Sequence, residues 1–199
     1  KVKHSFEIVL GKMLEPTQRT NNDIEVPYLK ALHIHWDGVI FQYLLNMWAN
    51  QTEIRHLKLK QGDLLVCEGG EVGRATILNI ELPPNTIIQN SLHRVRSKES
   101  GENRFLRYLL RHASTKGVID VLCNRATIGH FTVEKFSEFL FALPPKNEQI
   151  LIADYLDYET SKIDELLSAI KESIALLKER RAALITAAVT GQIALEDMS

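Results

Sequence analysis

The densest chemistry in this 199-residue sequence is basic and lies between Ile87 and Phe131. Eight basic residues, Arg94, Arg96, Lys98, Arg104, Arg107, Arg111, Lys116 and Arg125, stand there against three acids, Glu99, Glu102 and Asp120. That local excess of +5 sits in a chain whose formal net charge is −1. Guanidinium groups gathered this way suit phosphate oxygens, because each offers a planar fork of donors. In the strand-like SLHRVR, a period of two puts Arg94 and Arg96 on one face, with His93 and Val95 on the other. In the helical NRFLRYLLRHA, Arg104, Arg107 and Arg111 fall at i, i+3 and i+7 and form one stripe. Leu106, Leu109, Leu110 and Ala113 make a largely separate apolar face. Any single arginine here reads more simply as part of a solvated charged face; the cluster reads as a phosphate-contacting footprint.

Other chemistries are missing from the pattern. No Asp/Glu-x-Lys tripeptide is present to pair a metal with a nuclease lysine, and no Asn/Asp-Pro-Pro-aromatic or Phe-x-Gly-x-Gly to build an amino-methyltransferase site. The glycine loop GGEVGR lacks the Gly-Lys-Ser/Thr ending of a nucleotide-phosphate loop, and Gly-x-Ser-x-Gly is absent. Cysteines and histidines show no zinc spacing. His33 and His35 alternate on a strand-like run and share a face, but two imidazoles without a third ligand read more simply as packing or surface residues. No residue is nominated as catalytic or metal-binding.

These groups must be carried by a globular half of mixed helices and strands. SFEIVL (5–10), VPYLKALHIH (26–35), KLKQGDLLVC, RATILNI, TIIQN, SLHRVR and SEFLFALPP read as strands. Asp37-Gly38 is a turn, and Pro27 belongs at a sheet edge. TVEKF reads as a short helical turn, and residues 39–50 fit either element. Glu68 to Arg74 forms a glycine-rich turn in which backbone can approach a ligand closely. Cys67 and Cys123 sit in apolar runs and read as buried free thiols of a reducing compartment. No apolar run approaches a membrane span and no secretory pattern opens the chain, so a cytoplasmic protein is expected. The chain starts at Lys1 without an initiator methionine, which leaves processed and excised forms both open.

From Pro144 to Gly191 the sequence changes character. Leu156, Ile163, Leu167, Ile170, Ile174, Leu177 and Leu184 recur at steps of three and four, with Thr160 and Arg181 filling two seam positions. Pro144-Pro145 precede the first turn and Gly191 supplies the stop. About 45 helical residues at ~1.5 Å each span about 68 Å. The remaining ~145 residues should form a body only about 30 Å across, so the helix calls for a partner helix. Charge divides the same way: residues 146–199 carry −4, while residues 1–145 carry +3 and all seven histidines. The expected architecture is α+β: a globular mixed α/β domain, 1–143, followed by a long coiled-coil helical segment, 144–199.

The pieces Pro144-Pro145, Glu148-Gln149, Ile152, Leu156-Asp157, Lys162-Ile163-Asp164, Leu176 to Arg180 and Leu184 to Ile193 keep a fixed spacing over about a quarter of the chain. This run resembles the long-helix segment of type I restriction-modification specificity subunits. VPYLKALHI, GDLLVCEGGEVGRA and EKFSEFLFALPP resemble, more loosely, that family's target recognition domain. The resemblance implies a non-catalytic, sequence-specific double-stranded-DNA-binding subunit. It would read half of a bipartite site and dock methyltransferase subunits and, through the complex, restriction subunits. S-adenosylmethionine, ATP and Mg would then belong to those partners, with no cofactor in this chain. The family's usual subunit holds two recognition domains and two helical segments. One of each here implies either a half-subunit that dimerises or a fragment of a longer chain. On this reading Arg94, Arg96, Arg104, Arg107 and Arg111 are the phosphate candidates, and Arg125, Thr127, His130, Gln89, Asn90 and Lys30 the base-reading candidates. Arg74, beside the glycine loop with Glu71, is placed near DNA. Each is also readable as a structural or merely exposed residue. The competing reading is a coiled-coil scaffold whose globular part binds another protein.

Overall fold

A one-turn helix, α1 (Val2–Ser5), leads into β1 (Phe6–Leu10), whose Phe6 and Val9 are buried while Glu7 and Leu10 are exposed. The computed structural model describes residues 1–123 and 129–193. They fall into two units, Lys1–Ala153 and Asp154–Ser199. In the first unit, β2 (Ile24–Leu29) is followed by a 3-10 turn over Ala31–His33, then β3 (Ile34–His35) and β4 (Gly38–Val39). β3 and β4 form a hairpin with Trp36-Asp37 at its tip, and Gly38 sits at φ +149, a backbone conformation that side chains disfavour. Next come β5 (Leu45–Ala49) and α2 (Gln51–Leu57). Asn50 caps α2 by accepting from the amides of Thr52 and Glu53, while the Glu53 carboxylate reaches back to the Asn50 amide.

The chain then supplies β6 (Leu64–Cys67), β7 (Ala75–Ile77), β8 (Ile87–Ile88) and β9 (Leu92–Ser97). Four strands pair antiparallel in the order β1-β9-β6-β7; a second sheet has the order β5-β2-β8, with β8 parallel to β2. The apolar run of β6 is buried on both faces. Leu65 and Cys67 enter a core shared with the three-stranded sheet and α2, whereas Leu64 and Val66 enter a second core. That second core is closed by α3 (Asn103–Thr115), α4 (Val118–Leu122) and α5 (Val133–Glu138). Each leucine buried this way contributes about 1.5–3 kcal/mol relative to exposure.

Three local expectations are corrected. SEFLFALPP is not a strand: Ser137 and Glu138 finish α5, and the segment is tied down by the Val2 amide donating to the Phe139 carbonyl. His33 and His35 do not alternate on one strand, because His33 lies in the 3-10 turn and is buried. Pro27 lies in the middle strand of its sheet, yet β8 reaches only Tyr28 and Leu29, so Pro27 is paired on one side alone.

The helix α6 (Lys146–Val189) begins in the first unit, where Gln149 and Ala153 are buried. In the second unit Ile163, Leu167, Ile170, Ile174, Leu177 and Leu184 are all between 47% and 62% exposed, and Leu156 is half-buried. Thr160 returns its hydroxyl to the Leu156 carbonyl at 2.7 Å, satisfying it within the helix. The end is a two-bond glycine stop: the amides of Gly191 and Gln192 reach the carbonyls of Ala188 and Ala187, with Gly191 at φ +71. No described helix is long and apolar enough to cross a membrane.

Candidate nucleic-acid interface

The site is assembled from the β3–β4 hairpin, the glycine loop between β6 and β7, and the basic face of α3. Leu106, Leu110 and Ala113 bury the opposite face of α3, which turns Arg107 and Arg111 toward the hairpin. Arg107 Nη2 donates to the Trp36 carbonyl at 2.8 Å. The Arg111 guanidinium stands 5.8 Å from the centre of the Trp36 ring and 3.6 Å from the Asp37 carboxylate. Trp36 Nε1 donates to Glu71 Oε1 at 2.9 Å; Glu71 Oε2 accepts from Arg74 Nη1 at 2.8 Å, and Arg74 Nη2 donates to the Ala31 carbonyl at 3.0 Å. Arg74, Arg107 and Arg111 are thus held around one tryptophan with two carboxylates between them. Arg111 is exposed and Arg107 half-exposed, so both keep surface for an anionic backbone. Arg104, further back on α3, is drawn to Glu102 at 3.2 Å.

Arg94 and Arg96 are engaged by groups of the chain itself. Arg94 is 2% exposed and its Nη1 donates to the His56 carbonyl at 2.6 Å and the Lys58 carbonyl at 3.3 Å. Those bonds fasten the end of α2 to β9, and burial pulls the guanidinium below its ordinary pKa. Arg96 makes a two-pronged pair with Asp63, at 2.6 and 2.9 Å, which raises its pKa further. The alternation in SLHRVR is real, but the face carrying both arginines meets carbonyls and a carboxylate of the chain itself.

Among the base-reading candidates, Gln89 and Asn90 are half-exposed, and the Gln89 side-chain oxygen accepts from Ser91 Oγ at 3.1 Å. Lys30 borders a separate cavity of about 340 Å³ with Leu32, Phe41 and Tyr43. Arg125 and Thr127 lie outside the described residues. His130 is exposed and rests against the glycine loop, its Nδ1 2.9 Å from Glu68 Oε2. The burial of Cys67 pushes its thiol pKa up, and both cysteines are buried. No group of three potential metal ligands occurs among the described residues. Sequence reasoning missed Trp36 and Glu68. The first had a usable signal, an aromatic residue directly before an Asp-Gly turn; the second meets its partner across 62 positions and had none.

The profile of the type I restriction modification DNA specificity domain matches residues 6–176. The chain belongs to that family. The specificity subunit of the type I restriction enzyme EcoBI from Escherichia coli is 29% identical over 106 residues, covering 52% of this chain and 22% of that protein. A chain from structural work on complex assembly and conformational transition of the type I R-M system superposes with a TM-score of 0.68 at 20% identity, covering 93% of this chain and 43% of its own. The HsdS subunit from Thermoanaerobacter tengcongensis gives 0.56 at 17% identity, covering 84% of this chain and 38% of its own. The type I S subunit from M. genitalium gives 0.52 at 19% identity, covering 84% and 40%. At these identities the superpositions establish a shared fold. The chain spans 22% of the matched curated relative and less than half of each solved chain.

Proposed function

We propose that this specificity-domain protein reads one half of a split DNA sequence and holds that reading head at a fixed distance from another. Residues 1–143 are the recognition domain, and 144–199 the spacer and pairing segment. The reading is supported by the family match over residues 6–176, which starts in β1 and ends within α6. The exposed seam of Ile163 to Leu184 supports pairing with a second helix, from another copy or another specificity half. Two identical copies related by a two-fold axis would read inverted half-sites, with the unread gap set by helix length.

In this role Arg107 and Arg111 contact phosphate, and polar residues of the glycine loop and the 129–131 segment approach base edges. The chain itself performs no chemistry: methyl transfer and cleavage, with their S-adenosylmethionine, ATP and Mg, belong to methyltransferase and restriction subunits docked alongside it in the cytoplasm. Mobility shift on random-sequence duplexes at low and high salt tests the reading. Salt-sensitive non-specific binding beneath tighter binding to a selected sequence is expected. Binding of no duplex at either salt, with capture of a protein partner by the globular half, would replace it with a scaffold role.

A further inference from the structure

The glycine loop and the segment Gly129–Phe131 meet in an arrangement built to fix one imidazole. His130 Nδ1 lies 2.9 Å from Glu68 Oε2 and 3.1 Å from Oε1. The backbone beneath it is clamped: the Phe131 amide donates to the Glu68 carbonyl at 2.8 Å, and buried His93 Nε2 donates to the Phe131 carbonyl at 2.6 Å. Lys135 Nζ donates to the His130 carbonyl at 3.3 Å, and Gly69 runs beside the ring, where an added Cβ would stand 3.7 Å from Nδ1. The carboxylate of Glu68 is largely sheltered, its side chain 16% exposed, while that of His130 is 54% exposed. The ring is therefore anchored at one nitrogen and open at the other.

A carboxylate can only accept, so the nitrogen facing Glu68 must carry the proton. In neutral His130 that places hydrogen on Nδ1 and leaves Nε2, which has no protein partner among the described residues, as a bare acceptor. In the major groove the groups that donate to such an acceptor are the exocyclic amines, N6 of adenine and N4 of cytosine. Guanine and thymine present acceptors at the corresponding edge and would be refused. We propose that Glu68 and His130 form a base-reading pair, in which Glu68 is a positioning residue that locks the tautomer and His130 Nε2 accepts from the exocyclic amine of a base. The proposal rests on the DNA-reading function above and adds to it the chemical class of the base edge.

The chain of residues 1–199 is first used to select its preferred duplex from random sequence. Each adenine of that duplex is then replaced in turn by purine, and each cytosine by pyrimidin-2-one, which deletes the amine alone and tells the two bases apart. Wild-type protein is expected to lose about tenfold in affinity at one such position. His130→Ala should show the same loss on the intact duplex and no further loss when that amine is removed. Glu68→Gln can face Nδ1 as donor or acceptor, so it supports both tautomers. Its discrimination at that position should shrink to about threefold or less, with specific and random duplexes compared at one salt concentration. Unfolding midpoints within a degree or two of wild type establish that both variants are folded; a variant that fails this is replaced by His130→Phe or Glu68→Leu, which remove the ring acceptor and the carboxylate while keeping the bulk. Sequence-selective binding in which no amine couples to His130, or in which Glu68→Gln discriminates like wild type, overturns the pair and leaves the DNA-reading function standing. Failure of the wild-type chain to prefer any sequence overturns both.

Discussion

The side-chain oxygen of Gln149 accepts a hydrogen bond from the backbone amide of Glu102 at 3.1 Å. Its amide nitrogen donates to the Ser100 carbonyl at 2.9 Å and to the Pro144 carbonyl at 2.8 Å. The side chain is fully buried. One residue in the second turn of α6 therefore holds the start of that helix against the turn after β9 and the start of α3, whose first amides are capped by Glu102 itself. Within the first unit, the beginning of the long helix is aligned with the helix that carries the basic stripe.

Replacing Gln149 with leucine keeps the volume but removes the partner of three part-buried backbone groups. Each lost partner costs about 1–3 kcal/mol, part of which water can recover. Gln149→Leu is expected to lower stability by about 2–4 kcal/mol in urea unfolding. A loss under about 0.5 kcal/mol would mean that these bonds are replaced without cost.

His93 predicts an acid sensitivity. Burial lowers its pKa, opposed by the Phe131 carbonyl and by the charges of Glu68 and Glu134, so it stays neutral in the folded protein. The unfolded chain binds its proton near pH ~6.5. Stability is therefore complete above that pH and falls as pH drops toward the folded pKa, by up to about 1.4 kcal/mol per pH unit. His33, also lowered by burial, adds a slope of the same sign. His93→Gln should flatten the stability profile between pH 7 and 5; an unchanged profile would assign the sensitivity elsewhere.

Arg94 and Arg107 should separate stability from binding. Arg94→Met removes the donor to the His56 and Lys58 carbonyls and is expected to cost about 1–3 kcal/mol of stability. Arg107→Ala should weaken all duplexes alike, by about 3–10-fold, and reduce the salt dependence by about one charge. Altered sequence preference in Arg107→Ala would move that arginine to the base-reading group.

The seam predicts association. Light scattering at tens of micromolar is expected to give a dimer for the wild-type chain. Ile170→Asp combined with Ile174→Asp places charge on two neighbouring seam positions and should leave a monomer of unchanged helicity. A wild-type monomer under those conditions would require a second specificity half as the partner.

The long helix was legible because its signal is local and repeated. Steps of three and four from Leu156 to Leu184, prolines before and Gly191 after, need no knowledge of distant residues. The strands around DLLVC and SLHRVR were legible for the same reason. The Asn50–Glu53 capping box was equally local and went unread, which left α2 unassigned between the ambiguous residues 39–50 and the strand in KLKQGDLLVC. SEFLFALPP misled because an apolar run does not by itself specify conformation: α5 continues through Glu138, and beyond it Phe139 is buried while Leu140 and Leu143 are exposed.

By itself, the sequence determined a mixed α/β half, a helix too long for that half to cover, and an excess of positive charge between Ile87 and Phe131. Each is a sum or a period along the chain, and sums and periods survive without coordinates. Tertiary structure alone decided which of those charges remain free to bind. Arg94 and Arg107 are alike in sequence, yet one is spent on the carbonyls of His56 and Lys58 while the other keeps surface beside Trp36. The Glu68–His130 pair joins residues 62 positions apart. Hydrogen bonds reach only about 3 Å, so what a polar side chain does is fixed by whichever segment folding brings within that radius.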